Sequence, residues 1–195
     1  MSSLKKRNVL VSTFLFFISL HKLFPKMNNN IVCKGDPRVY QVLNQLEIPF
    51  EYFDHPAAPT VEIAMKYWKD LDAQHCKNLF FRNHKGNKHF LVILDCSYKL
   101  NIRDLEQRLK QGKLTFASPE RMLKYLNIQP GSVSPFGLIH DNTNHVHVFL
   151  GENLKKAKTI SFHPNDNTAS LVIPFEGFIK YLNHTGNSYE FLDLY

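Results

Sequence analysis

Lys77 stands in the stretch Cys76-Lys77-Asn78-Leu79-Phe80-Phe81-Arg82, just after the polar segment Asp72-Ala73-Gln74-His75. A lysine that opens a strand can reach into a cleft while its stem packs. Its ammonium can then hold a phosphate, or a carbonyl oxygen that gains charge during acyl transfer. Position alone favours the plainer reading, a solvated surface lysine. A second candidate is Gly131-Ser132-Val133-Ser134-Pro135. Gly and Pro set a tight turn, and such a turn can aim backbone N–H groups at an anion or a carbonyl. It lacks the Gly-Lys-Ser/Thr of a Walker A loop and the Gly-x-Ser-x-Gly of a hydrolase elbow. By itself it reads as a connecting loop. A third is Phe162-His163-Pro164-Asn165-Asp166-Asn167-Thr168-Ala169. Its side chains bond readily to backbone, so a turn explains it, although His163 can also order a substrate hydroxyl or a water.

Two further clusters carry less. His145 and His147, with His140 nearby, lie two apart and share one face of a strand. Catalytic zinc needs a third ligand and an open position, so ordinary strand histidines are the better account. Cys76 follows His75, but neighbours on a strand point to opposite faces and are poorly placed to act as a thiol–imidazole pair.

The composition bounds these chemistries. The chain has 195 residues, enough for one domain and a tail. Its 16 Phe and 8 Tyr can fill a sizeable core. The net charge of +7 suggests nucleic acid, but Lys5, Lys6, Arg7, Lys22 and Lys26 lie in the first 30 residues without an acid among them. The other 19 bases face all 17 acids, so the rest of the chain is nearly neutral. Any RNA contact must come from a local patch. The three cysteines, Cys33, Cys76 and Cys96, are odd in number and form no Cys-x-x-Cys, which disfavours a disulfide framework or a zinc ribbon. Reduced thiols fit a cytoplasmic protein.

Residues 1–30 form a leader. Lys5-Lys6-Arg7 precedes the apolar run Val9 to Leu20, which resembles a signal peptide, but it is too short to span a bilayer as an ordinary helix and no convincing cleavage site follows. The favoured reading is a start of translation at Met27, with no membrane partner; a native peptide containing Val9 to Leu20 would exclude it. Residues 31–195 form the folded domain.

Within it, Asp36-Pro37 starts a helix carrying Val39, Val42, Leu43 and Leu46. Phe50 to Phe53 reads as a strand, and Thr60 caps a helix through Leu71. Lys77–Arg82 and Lys88–Leu94 form a hairpin around Asn83-His84-Lys85-Gly86-Asn87. The run Phe90 to Leu94 is apolar on both faces, so its strand is central. Asn101 caps a helix that stops near Gly112, Leu114 to Phe116 is a short strand, and Ser118-Pro119 begins a helix through Leu126. Phe136–His140, Val146–Leu150, Thr159–Phe162 and Ala169–Ile173 read as strands, followed by a helix over Phe175–Leu182 and a last strand, Tyr189–Leu192. The class is α/β or α+β, with a mixed sheet of six or seven strands.

In order and spacing, five stretches resemble the YbaK/ProX group of prolyl-tRNA editing domains, especially the free-standing Ala-tRNA(Pro) deacylases. They are His55-Pro56 through Thr60-Val61-Glu62; Lys77-Asn78-Leu79-Phe80 with Lys85-Gly86; Gly131 through Gly137; Phe162-His163-Pro164; and Asn167-Thr168-Ala169. The similarity runs from about Asp36 to the C-terminus. It implies an α/β fold whose mixed β-sheet, flanked by helices, is partly closed like a barrel. It implies hydrolysis of the ester between a small amino acid and the terminal adenosine of a mischarged tRNA(Pro). Lys77 would be the critical residue. The Gly131–Pro135 loop (Gly131, Ser132, Val133, Ser134, Pro135) would shape the amino-acid pocket, and Asn78, His163, Asn167 and Thr168 would line it. No cofactor and no metal are implied. The partners implied are the tRNA acceptor end and prolyl-tRNA synthetase. The Lys-Asn-Leu-Phe motif favours alanine, while Asn165 replaces a more usual apolar residue after His-Pro. A deacylase for Cys or Ser, and a silent tRNA- or synthetase-binding module, are the competing functions.

Overall fold

The computed structural model describes residues 6–7, 33–69 and 71–195; the run Val9–Leu20 and the start at Met27 lie outside them. Helix α1 (Pro37–Gln45) begins where Asp36 accepts the Arg38 N–H at 2.9 Å, and it buries Val39 and Leu43. Strand β2 (Glu51–Asp54) follows Pro49, and β1 is the pair Lys6–Arg7 beside it. Helix α2 (Val61–Trp68) is capped by the Thr60 hydroxyl and ends three residues earlier than the sequence suggests.

The expected hairpin is β3 (Gln74–Arg82) and β4 (His89–Asp95). In its turn Asn83 Oδ1 accepts the N–H groups of Asn87 and Lys88. Then come α3 (Ile102–Leu109), capped by Asn101, β5 (Thr115–Phe116) and α4 (Pro119–Leu126). Strands β6 (Val146–Gly151), β7 (Thr159–Phe162) and β8 (Ala169–Pro174), helix α5 (Phe175–Thr185) and strand β9 (Tyr189–Leu192) complete the chain.

Phe136–His140 is not a strand. Pro135–His140 forms a 3-10 helix with Pro135 in its first turn, and the Ser134 hydroxyl accepts the Phe136 N–H. Pro135, Phe136, Gly137 and Leu138 are buried in succession, a pattern that a strand with one wet face does not produce.

The strands run β1-β2-β8-β7-β3-β4-β6-β9, with β5 also paired to β3. This path of eight plus β5 exceeds the six or seven expected, because two-residue strands carry no readable period. The sheet is also open rather than partly closed, since β1 and β9 end the path without pairing to each other. It is mixed: β3/β7, β4/β6 and β6/β9 are parallel, the others antiparallel. β4 is central, as its sequence requires. Its Leu91 and Ile93 enter the main core with α1 and α5, and Phe90, Val92 and Leu94 pack on the other face with Leu105 and Leu114.

A buried carboxylate orders the turn before β6. Asp141 Oδ2 accepts from Val146 N–H at 2.7 Å and from Asn187 Nδ2 at 2.8 Å. Burial works to raise its pKa, but the donors on Val146, His145, Asn187 and Thr143 outweigh it and hold the carboxyl below its ordinary value. A depressed folded pKa contributes stability that is present above the unfolded value and lost as pH falls through the folded one. Asp141→Asn is therefore expected to narrow the gap between urea midpoints at about pH 6 and about pH 3, a span that crosses the ordinary Asp pKa of about 3.9, above which the contribution is complete and below which it is lost. An unchanged gap would remove Asp141 from the acid sensitivity.

Among the described residues no helix is long and apolar enough to cross a membrane.

Candidate active site

The edge of β3 that faces away from β4 is shared by two strands. Gln74 and His75 pair with β7, while Phe81 and Arg82 pair with β5. Residues 76–80 lie between these partners. A cleft of about 370 Å³ opens there, and Cys76, Lys77, Asn78 and Leu79 all line it. Successive side chains of a strand alternate between faces. Four in a row can border one space only if that space lies along the strand's edge, where the backbone is reached as well.

Lys77 donates from Nζ to the Tyr98 carbonyl at 2.9 Å. Its charge borders Glu62, which also lines the cleft and whose carboxyl is lowered first by its own backbone N–H, then by Thr60, and also by Lys77. Asn78 donates from Nδ2 to the Val133 carbonyl at 3.1 Å, tying β3 to the 131–135 loop, while its buried Oδ1 has no protein donor among the described residues.

The loop is set by its own chemistry. Gly131 has φ +84°, and a Cβ there would meet Pro59 Cβ at 3.1 Å and Asn167 Nδ2 at 3.3 Å. Asn167 Nδ2 donates to the Gly131 carbonyl. The Ser134 hydroxyl donates to the His163 carbonyl at 2.7 Å. Gly131→Ala is expected to cost about 1–3 kcal/mol from the strained backbone, read as a lower urea midpoint; an unshifted midpoint would show that the turn relaxes freely.

His163 is buried and borders the cleft. Its Nδ1 lies 2.9 Å from the Ala169 carbonyl. A carbonyl only accepts, so Nδ1 carries the proton and Nε2 holds a lone pair. Burial lowers its pKa, against the Ala169 carbonyl, so the ring is neutral at pH 7. Behind it, Trp68 Nε1 donates to Ser170 Oγ, which donates to His55 Nε2, and His55 Nδ1 donates to the Pro56 carbonyl.

The cleft thus brings together Lys77, Asn78, Gly131, Val133 and His163. Ser132, Ser134, Pro135, Asn167 and Thr168 do not border it. Ser134 and Asn167 brace the loop and its neighbour, and Thr168 bonds to Asp166 and, through its carbonyl, to the His55 N–H. Sequence reasoning missed the opposite wall, Ala58 to Glu62 with Ala64 and Trp68. The His-Pro segment singled out above was the available signal for part of it; nothing marked Trp68, whose partner Ser170 is 102 residues away.

The other clusters separate. His145 Nε2 faces His89 Nδ1, whereas His147 bonds to Ser188 and Glu190. Among the described residues no group of three or more His, Cys, Asp or Glu could hold a metal. Cys76 is buried, which pushes its thiol well above its ordinary pKa, and His75 turns to Trp68, stacking on its ring and bonding to its carbonyl.

Residues 55–181 match the model of the aminoacyl-tRNA editing domain family. The prolyl-tRNA editing protein ProX of Acetoanaerobium sticklandii is 35% identical over 152 residues, covering 78% of this chain and 93% of that protein. The prolyl-tRNA synthetase associated domain-containing protein 1 of Bos taurus is 31% identical over 150 residues, 75% of this chain and 88% of that one. A solved structure described provisionally as a trans-editing enzyme for prolyl tRNA synthetase superposes with a TM-score of 0.58 at 22% identity, covering 82% of this chain and 98% of that one. At that identity it speaks for the fold.

Proposed function

The chain belongs to the aminoacyl-tRNA editing domain family, and from that premise we propose that it hydrolyses the ester of mischarged Ala-tRNA(Pro), with Lys77 as its critical residue. The observation that carries the reading is the cleft itself. It gathers a cation, a neutral imidazole and a Gly-Pro loop around the edge of β3, with no activated nucleophile among them. An aminoacyl ester is already activated, so positioning a water and stabilising the developing oxyanion suffice. Lys77 holds the acceptor-end phosphate or the ester oxygen. The α-ammonium of the substrate only donates, and His163 Nε2 is an acceptor without a protein donor among the described residues. A ribose hydroxyl of the substrate helps direct the water.

Selectivity comes from exclusion by size. Val133, Pro59, Ala58 and Ala64 wall the cleft, and a space filled by alanine rejects the larger proline by steric conflict. Rejecting a smaller side chain by lost contact alone yields only about 1–3 kcal/mol per methylene. Activity at the cytoplasmic tRNA pool and contact with prolyl-tRNA synthetase complete the reading; the name of the bovine relative supports the latter.

The test is deacylation of Ala-tRNA(Pro) against Pro-, Cys- and Ser-tRNA(Pro). Alanine is expected to be removed fastest and proline spared. Preference for cysteine or serine would move the enzyme to another substrate of the same class, and binding without hydrolysis would make it a silent module. Activity is expected to survive a strong chelator; its loss would restore the metal reading.

A further inference from the structure

The geometry points to the backbone N–H of Asn78 as an oxyanion donor of this site, an assignment that rests on the deacylase reading. Parity along β3 decides which edge each backbone group faces. The His75 carbonyl accepts from Cys96 N–H on the β4 side. The Phe80 carbonyl accepts from Ala117 N–H on the β5 side. Residues 76–82 pair with 95–89 one for one, without a bulge. Backbone groups of a regular strand alternate between its two edges. Lys77, Leu79 and Phe81 therefore direct their N–H and C=O groups to β4, and Asn78 directs its own to the opposite edge. That edge is paired to β7 only at residues 74–75 and to β5 only at 81–82. Asn78 falls in the gap, beside the cleft, and no partner for its N–H is found among the described residues.

Leaving a backbone N–H unpaired in the middle of a sheet is costly unless water or a ligand meets it. Here it is held by the β3–β4 ladder on one edge and by the bond from Asn78 Nδ2 to the Val133 carbonyl. A donor fixed in this way needs no reorganisation when charge develops. In the hydrolysis, a water oxygen bonds to the ester carbon and the carbonyl π pair moves onto oxygen. The N–H of Asn78 meets that oxygen, next to the Lys77 ammonium. Collapse breaks the bond to the ribose oxygen, which takes up the proton lost by the water through the neighbouring ribose hydroxyl. Alanine and a free ribose hydroxyl leave.

Amide hydrogen exchange on the full chain reads the first half of this directly. The Asn78 amide is expected to exchange at least about tenfold faster than those of Lys77 and Leu79, whose N–H groups join the β4 ladder. It is then expected to become protected when an acceptor-stem minihelix carrying alanine through an amide at its terminal ribose is added. An Asn78 amide already protected in the free protein, or unaffected by the minihelix, overturns the proposal. The second readout replaces residue 78 by the α-hydroxy analogue of asparagine, which removes only the N–H. The single-turnover rate is expected to fall by about 10²–10³-fold with minihelix affinity retained. The same exchange at Phe81 should lower stability and leave that rate within about threefold. A rate unchanged at position 78 also overturns the proposal. Failure of the unmodified protein to deacylate any aminoacyl-tRNA sinks the deacylase reading instead, so the two failures are distinct.

Discussion

Replacing Lys77 with alanine is expected to lower kcat/KM for Ala-tRNA(Pro) by about 10²–10³-fold, the loss typical of one donor to a developing oxyanion. The fold should be untouched. Among the described residues Nζ makes one hydrogen bond, to the Tyr98 carbonyl, and a partly exposed side chain of this kind contributes within about 0.5 kcal/mol to stability. The thermal midpoint of Lys77→Ala should therefore match the unmodified protein, which separates a chemical loss from an unfolding one. Lys77→Arg sharpens the test. Its charge survives, but a planar fork replaces a compact ammonium. Partial recovery in Lys77→Arg would mark a phosphate contact, and equal loss in both variants would mark a point contact with the ester oxygen. Near wild-type hydrolysis by Lys77→Ala would end the assignment.

The largest structural effect is expected at Phe136. Its ring is fully buried and meets Tyr181 edge-on at 5.1 Å and Phe162 edge-on at 5.9 Å. Its carbonyl accepts the Tyr181 hydroxyl at 2.8 Å. Phe136→Ala should cost about 3–5 kcal/mol, the range for truncating a buried aromatic ring. In a domain of this length that lowers the melting temperature by on the order of 10 °C. The residue sits directly after the 131–135 loop, so activity measured well below melting should also fall as the loop loses its anchor. A loss under about 1 kcal/mol would mean that the core collapses around the cavity, and Tyr181 would then be the true anchor.

Much of the scaffold was legible because its causes are local. Asp36-Pro37, Thr60 and Asn101 cap their helices with their own side chains, and the Asn83–Asn87 turn closes the hairpin with bonds inside five residues. The apolar run of β4 announced burial on both faces. Phe136–His140 failed for the same reason in reverse: its burial comes from packing against Tyr181 and Phe162, and a short apolar run has no period that separates strand from 3-10 turn. Lys77, Asn78, Gly131, Val133 and His163 were nameable as candidates because their types and order are written in the chain.

That those residues share one cleft is a tertiary fact. It depends on β7, whose paired residues lie 86 positions further along, pairing with the first two residues of β3, and on β5 pairing with the last two. The chain by itself determined which residues are chemically capable and where its helices and central hairpin begin. The tertiary structure decided that the edge of β3 is left unpaired between two partners, that His163 holds its proton on Nδ1, and that Ser132, Ser134 and Asn167 do not line the cleft. Caps and turns are enforced by atoms a few residues apart, whereas an open strand edge exists only because of where distant strands stop.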